Sequence, residues 1–212
     1  ITDRAPSLED VSPETYKLKL ELHGNKDYVT DRSPIGNILT RALAEGGATL
    51  DVSTQNDVTS GWAVSKDKNG FIIKSGKLGK ILSKPAGARS AGEKKELDSA
   101  IAAIWKMIAK NKAEFGEGEE GIKVALGLWR KRARKKDSKG QIVEVDELHV
   151  DITNVLDKDR YDENAAIDMA RQENQEGIMD LAQLDETGDA DDAYTYVGGS
   201  PTYLEVDDPS FT

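Results

Sequence analysis

The segment Ile122–Leu156 constrains the fold of this chain more than any other stretch of its sequence. Large aliphatic residues occupy every second position from Ile122 to Leu128, which is the period of two expected of a half-buried strand. The turn-forming sequence Asp-Ser-Lys-Gly follows at 137–140, and a segment rich in β-branched residues then returns from Ile142. This pattern predicts a β-hairpin over residues 122–155.

A helix is the alternative interpretation of residues 122–136. Ile122, Leu126 and Trp129 would share one helical face, and the arginines and lysines that follow are good helix formers. Gly127 weakens this alternative, because a glycine inside a helix costs about 1 kcal/mol relative to alanine. We therefore favour the hairpin.

Periodicity elsewhere indicates both strands and helices. Strict alternation predicts a strand over residues 16–22, and apolar stripes predict helices over 34–45 and 93–115. Trp105 lies on the stripe of the second helix and should be buried with Leu97, Ile101 and Ile108.

An Asn-Gly pair lies between two apolar segments and predicts a second hairpin over residues 62–73. Because hairpins dominate and the order of strands and helices is irregular, we expect an α+β fold with a mostly antiparallel sheet. We expect two or three helices, and an acidic, extended C-terminal tail.

The chain divides into three predicted regions. A mixed α+β body covers residues 1–156 and contains a Gly- and Ser-rich linker at 76–92. A helical segment covers 157–184, and the acidic tail covers 185–212. The tail retains aromatic residues that a purely solvating segment would lack, so we expect four of them to anchor it. These are Tyr194, Tyr196, Tyr203 and Phe211.

Charge is divided unequally along the 212 residues, whose formal net charge is −10. From Glu144 onward there are 20 acidic and three basic residues, which gives −17, whereas residues 1–143 carry 26 basic and 19 acidic residues, which gives +7. Such asymmetry indicates an electrostatic partner, or an acidic segment that folds back on a basic one.

A basic cluster in the first strand of the central hairpin is the sharpest candidate contact site. Either it docks on an acidic surface of a partner, or its cations hold the phosphates of a single-stranded nucleic acid while the neighbouring indole stacks on a base. The cluster consists of Trp129, Arg130, Lys131, Arg132, Arg134, Lys135, Lys136 and Lys139.

Catalytic and metal-binding patterns are weak. The chain has no cysteine, and its two histidines, His23 and His149, lie apart in predicted strands, so neither a zinc site nor a disulfide is expected. A magnesium-dependent nuclease site could be formed by Glu144, Asp146 and Asp151, but no other motif in the sequence supports this hypothesis. We therefore predict no enzyme, no cofactor and no metal.

The sequence thus predicts a non-enzymatic structural or assembly protein of a large complex such as a virion. Its partners would be copies of itself or other subunits, and it would reside in the cytoplasm or the virion. No apolar run approaches the ~18–20 residues of a membrane span, so we expect no membrane embedding. The alternative is a single-stranded nucleic-acid-binding protein that is regulated by competition from its acidic C-terminal tail.

Overall fold

A computed structural model of the chain describes residues 34–66, 70–74, 77–136, 139–200 and 204–206. Within these residues, an open and mostly antiparallel sheet combines with six α-helices, so the fold is α+β as predicted. Only two or three helices were expected from the sequence. The additional ones are four to seven residues long, too short to show an apolar period. The predicted strand at 16–22 lies outside the described residues.

The elements have the following bounds. The helices are α1 (Pro34–Glu45), α2 (Leu78–Leu82), α3 (Ala91–Lys110), α4 (Glu163–Gln172), α5 (Leu181–Thr187) and α6 (Ala190–Ala193). The strands are β1 (Gly47–Asp51), β2 (Asn56–Asp57), β3 (Trp62–Ser65), β4 (Phe71–Lys74), β5 (Gly116–Glu117), β6 (Ile122–Lys136), β7 (Ile142–Leu156), β8 (Gly177–Asp180), β9 (Tyr194–Tyr196) and β10 (Leu204–Val206). The sheet order is β2-β1-β6-β7-β3-β8-β9, while β4 pairs with β7 and β10, and β5 pairs with β6.

The central hairpin is confirmed. Strands β6 and β7 pair antiparallel over their full length, from Ile122 opposite Leu156 to Lys136 opposite Ile142. Gly140 has a φ of 77°, the left-handed conformation that glycine adopts at little cost. The helix alternative for residues 122–136 is therefore wrong.

The second predicted hairpin is wrong, although both of its strands exist. Strand β3 pairs with residues 153–156 of β7, and β4 pairs with residues 147–150 of the same strand. The two strands thus follow one another along one edge of β7 instead of pairing together. A turn signal such as Asn-Gly describes only local geometry, whereas the 15-residue β7 offers both apolar segments a long-range partner.

Alternation along β6 and β7 directs aliphatic side chains to one face of the sheet, where α1 and α3 cover them. Leu126, Leu128 and Val150 are fully buried there. Trp105 is only 3% exposed and joins the same cluster as Leu97, Ile101 and Ile108, as predicted. Ser90 and Glu93 form a capping box at the start of α3, which satisfies two otherwise unpaired backbone N–H groups.

The segment predicted as a linker at 76–92 contains helix α2. Its side chains Leu78 and Ile81 are buried in the main core, so this segment packs on the body. This helix could not be recognised in the sequence, because it is only about one and a half turns long, has two buried apolar residues and is flanked by glycines and serines.

The described part of the C-terminal third contains strands as well as helices, where the sequence predicted a helical segment at 157–184 and an acidic tail from 185. Residues 157–184 contain strand β8 between α4 and α5, and residues 185–196 continue as the end of α5, α6 and β9. Leu181, Leu184 and Ala193 are buried against the second face of the sheet, which explains why this acidic segment folds back. None of the described helices is both long and apolar enough to cross a bilayer.

Candidate contact site: the β6–β7 ribbon and the cleft at its base

The outer half of the central hairpin extends beyond the strands that flank it. Strand β1 pairs with β6 no farther than Trp129, and β4 pairs with β7 no farther than Glu147. Beyond these residues, β6 and β7 have only each other as neighbours among the described strands. We call residues 131–146 the ribbon.

The register of the ribbon sets acidic residues opposite basic ones. Lys131 lies opposite Glu147, Arg132 opposite Asp146, and Arg134 opposite Glu144. Arg134 Nε is 3.7 Å from Glu144 Oε1, and both side chains are mostly exposed. Opposite charges across a ladder are favourable by about 0.2–1 kcal/mol. The ribbon nevertheless stays cationic, because it contains six basic and three acidic residues.

The structure divides the predicted basic cluster into two groups. Arg130 and Lys131 belong to the base of the hairpin, where Arg130 Nη1 donates to the carbonyl oxygen of Leu43 at 2.7 Å and Lys131 Nζ pairs with the carboxylate of Glu176. Arg134 and Lys139 are exposed on the ribbon itself. The side chains of Arg132, Lys135 and Lys136 lie outside the described part of the structure.

Trp129 lies flat on the sheet at the base of the ribbon. A Cβ placed on Gly47 would be 2.5 Å from Trp129 Cε3, and one placed on Gly127 would be 2.8 Å from Trp129 Nε1. The two glycines therefore make room for the indole ring, which also packs against the buried cluster that contains Leu181 and Leu184. In the sequence, Gly127 indicated only that a helix was unfavourable, and its role beneath Trp129 was missed.

A cleft of about 800 Å³ opens beside Trp129 on the same face of the sheet. Ser65, His149 and Tyr194 contribute to its lining. Among the described residues, its charged lining consists of four carboxylates and two cations, which makes this lining acidic. They are Glu45, Glu176, Asp189, Asp191, Arg130 and Lys131.

A row of polar side chains on β7 lies at and beneath this cleft. Glu147, His149, Asp151 and Thr153 alternate along the strand, so they share one face, and all four are buried. Ser65 Oγ donates to Asp151 Oδ2 at 3.0 Å, and His149 Nε2 lies 3.4 Å from Glu147 Oε2. Burial lowers the pKa of His149, although Glu147 opposes this shift, so the imidazole is neutral at pH 7.

The three carboxylates of the magnesium-nuclease hypothesis are not brought together. Alternation along β7 puts Asp151 on the opposite face from Glu144 and Asp146, and Glu144 is exposed whereas Asp151 is buried. Among the described residues, no group of three or more histidine and carboxylate side chains is arranged to hold a metal ion.

Two of the four predicted tail anchors lie within the described residues. Tyr194 packs over Gly177, where a Cβ would be 2.3 Å from Tyr194 Cζ, and burial raises the pKa of its hydroxyl. Tyr196 is 68% exposed, although the backbone of β9 pairs with β8. Tyr203 and Phe211 lie outside the described residues.

Two cations of the body, Arg41 and Lys131, and one within the C-terminal third, Lys158, form ion pairs with its carboxylates. Arg41 Nη2 is 2.7 Å from Asp185 Oδ1, and Lys158 Nζ is 2.5 Å from Asp180 Oδ1. Lys131 adds its ion pair with Glu176. The expectation that an acidic segment folds back on basic groups therefore has a counterpart in the contacts of Arg41 and Lys131, which involve Asp185 and Glu176.

No protein-family model, curated protein or solved structure matches this chain. Its function is therefore inferred from the ribbon and the cleft alone.

Proposed function

We propose that this protein is a non-enzymatic assembly subunit that binds neighbouring copies of itself through the ribbon. The observation that carries the proposal is the projecting end of the hairpin, where Ile142 is 70% exposed and Val143 is 36% exposed. A two-stranded ribbon is marginally stable in water, and its unpaired strand edges readily accept another chain. Docking on a neighbour would bury these side chains and stabilise the ribbon.

The charges around the ribbon favour a protein partner over a nucleic acid. Proteins that bind single strands combine a continuous basic groove with aromatic faces that are open to the bases. Here the register interleaves acidic residues with the cations, the indole of Trp129 covers Gly47 and Gly127, and Lys131 is paired with Glu176. Exposed aliphatic residues surrounded by polar and charged ones match the apolar core and polar rim of a protein interface.

The test compares two double variants of equal charge change. Arg132→Gln with Arg134→Gln alters the ribbon and avoids placing like charges opposite Asp146 and Glu144. Arg160→Gln with Arg171→Gln is the matched control, because both of its arginines are exposed and ion-paired outside the ribbon.

Molar mass is measured by light scattering after size exclusion, over a series of protein concentrations. We expect the wild-type chain and the control to form oligomers, and the ribbon variant to shift towards the monomer. Equal masses for all three proteins would contradict the proposal. A monomeric wild type that binds a labelled single-stranded oligonucleotide tightly and with steep salt dependence would support the nucleic-acid alternative instead.

A further inference from the structure

We infer that the acidic cleft beside Trp129 is the acceptor for the basic ribbon of a second copy of this chain. The inference rests on the proposed function, and it names the surface that the ribbon binds. Contact would then be head to tail, since the donor and the acceptor are different parts of each molecule.

The lining of the cleft suits a cationic ligand. Two of its four described carboxylates are paired within the chain, Glu176 with Lys131 and Glu45 with Arg41. Asp189 and Asp191 then face Arg130 as the remaining charged groups of the described lining, so the cleft keeps an excess of negative charge. Tyr194, which is 41% exposed, adds an aromatic ring, and such rings attract ammonium and guanidinium groups. Asp191 is exposed at the edge of the cleft, where an incoming charge can reach it.

The size of the cleft sets how much of the ligand it can hold. About 300–1,000 Å³ is typical of pockets that enclose a drug-sized molecule. At about 800 Å³ this cleft can hold a few long side chains but not a whole two-stranded ribbon. We therefore expect the long basic side chains of strand β6 to enter it while the backbone stays outside.

The first strand of the ribbon carries the densest positive charge of the chain, and this charge complements the cleft. Residues 132–136 contain four cations and no acidic residue, while Lys131 is paired with Glu176 of its own chain. By contrast, residues 1–33 contain five basic and seven acidic residues, and residues 201–212 contain three acidic residues and no basic one.

The occupant must come from another molecule. Arg130 and Lys131 line the rim of the cleft, whereas none of the side chains that the structure describes within residues 132–146 does, so each ribbon leads away from its own cleft. Each copy thus offers one ribbon and one cleft. Repeating such a contact closes a ring or extends a filament, depending on the rotation between copies.

The test uses a pair of neighbouring aspartates. Asp191 and Asp192 are both exposed on α6, and only Asp191 lines the cleft. Neither is the N-cap of this helix, a role that Asp189 fills by accepting from the backbone N–H of Asp191. We expect Asp191→Lys to weaken self-association about tenfold or more, and Asp192→Lys, its matched control, to leave it unchanged.

Mixing two variants tests the head-to-tail geometry. The ribbon variant (Arg132→Gln with Arg134→Gln) retains an intact cleft, and Asp191→Lys retains an intact ribbon. The two variants are compared at a concentration at which the wild type assembles and each variant alone is monomeric. A one-to-one mixture should then form a dimer that cannot grow, which light scattering detects as twice the monomer mass.

The outcomes separate this inference from the proposed function. If the ribbon variant is monomeric but Asp191→Lys assembles like the wild type, or if the mixture stays monomeric, the cleft is not the acceptor while the ribbon remains the contact. If the ribbon variant itself assembles like the wild type, the proposed function is wrong and this inference fails with it.

Discussion

Arg41 joins the acidic C-terminal third to the first helix, and replacing it should loosen that attachment. Its guanidinium lies 2.6 Å from a carboxylate oxygen of Glu45, 3.3 Å from one of Asp57 and 2.7 Å from one of Asp185. The side chain is 20% exposed, whereas those of Asp57 and Asp185 are 42% and 49% exposed. Arg41→Met preserves most of the buried stem and removes only the charged group.

The expected cost follows from the exposure of the partners. Ion pairs in contact with water contribute about 0.2–1 kcal/mol each, whereas charge-assisted hydrogen bonds shielded from water contribute about 1.5–3 kcal/mol. Because Arg41 is mostly covered but two of its partners are half exposed, we expect Arg41→Met to lower the free energy of unfolding by about 1–2.5 kcal/mol. The coupling between Arg41 and Asp185 alone should be about 0.5–1 kcal/mol.

A double-mutant cycle measures this coupling. Unfolding in urea is followed for the wild type, Arg41→Met, Asp185→Asn and the combined variant, at low and high salt. Glu186→Gln replaces Asp185→Asn in a control cycle, because Glu186 is the exposed neighbour on α5 and is not one of the three carboxylates around Arg41. We expect the control cycle to be additive.

The coupling with Asp185 should decrease at high salt but not vanish, because the pair is in direct contact at a distance well below the ~10 Å Debye length of 0.1 M salt. Additivity within about 0.3 kcal/mol in the Asp185 cycle would show that Arg41 does not hold the C-terminal third.

Two further predictions concern the core and the sheet. Trp105→Ala should lower the free energy of unfolding, measured in urea, by about 3–5 kcal/mol, because it removes a buried indole from the main core. Lys106→Ala, at the exposed neighbouring residue, should change this free energy by less than about 0.5 kcal/mol. Equal effects of the two substitutions would refute the central position of α3. Burial opposes ionisation of Asp51, but hydrogen bonds from Ser53 and Lys123 outweigh this effect and lower the pKa of Asp51 to about 2 from an ordinary 3.8. The ionised carboxylate should therefore contribute its full stabilisation above about pH 4, and this contribution should disappear as the pH falls towards 2. The difference in melting temperature between the wild type and Asp51→Asn should therefore shrink over that interval, and a difference independent of pH would contradict this assignment.

Long periodic segments could be predicted from the sequence because their periods depend only on local geometry. Helix α1 begins and ends at the predicted residues, and α3 buries the predicted stripe around Trp105. The β6–β7 hairpin followed from alternation and turn chemistry in one continuous stretch. In each of these cases, the burial pattern repeats often enough within one element to be recognised.

Elements whose stability depends on distant partners could not be predicted in the same way. Strands β3 and β4 contain four residues each, and their common partner β7 lies more than 70 residues away in sequence. Helices α5 and α6 are similarly short, and their few apolar side chains are buried only by packing against the second face of the sheet. No local pattern specifies such partners.

The cleft at the candidate site could not be predicted from local sequence patterns either. Glu147, His149, Asp151 and Thr153 alternate with aliphatic residues along β7, a pattern that normally indicates a strand with one face in water. They are buried instead, because Trp129 and the segment containing β8, α5 and α6 cover that face. Formation of the cleft therefore requires the acidic C-terminal third to pack on the sheet. In our proposal, this gives the charge asymmetry of the sequence a structural meaning: the acidic part of the chain supplies most of the acceptor's carboxylates, and the basic strand β6 supplies its ligand.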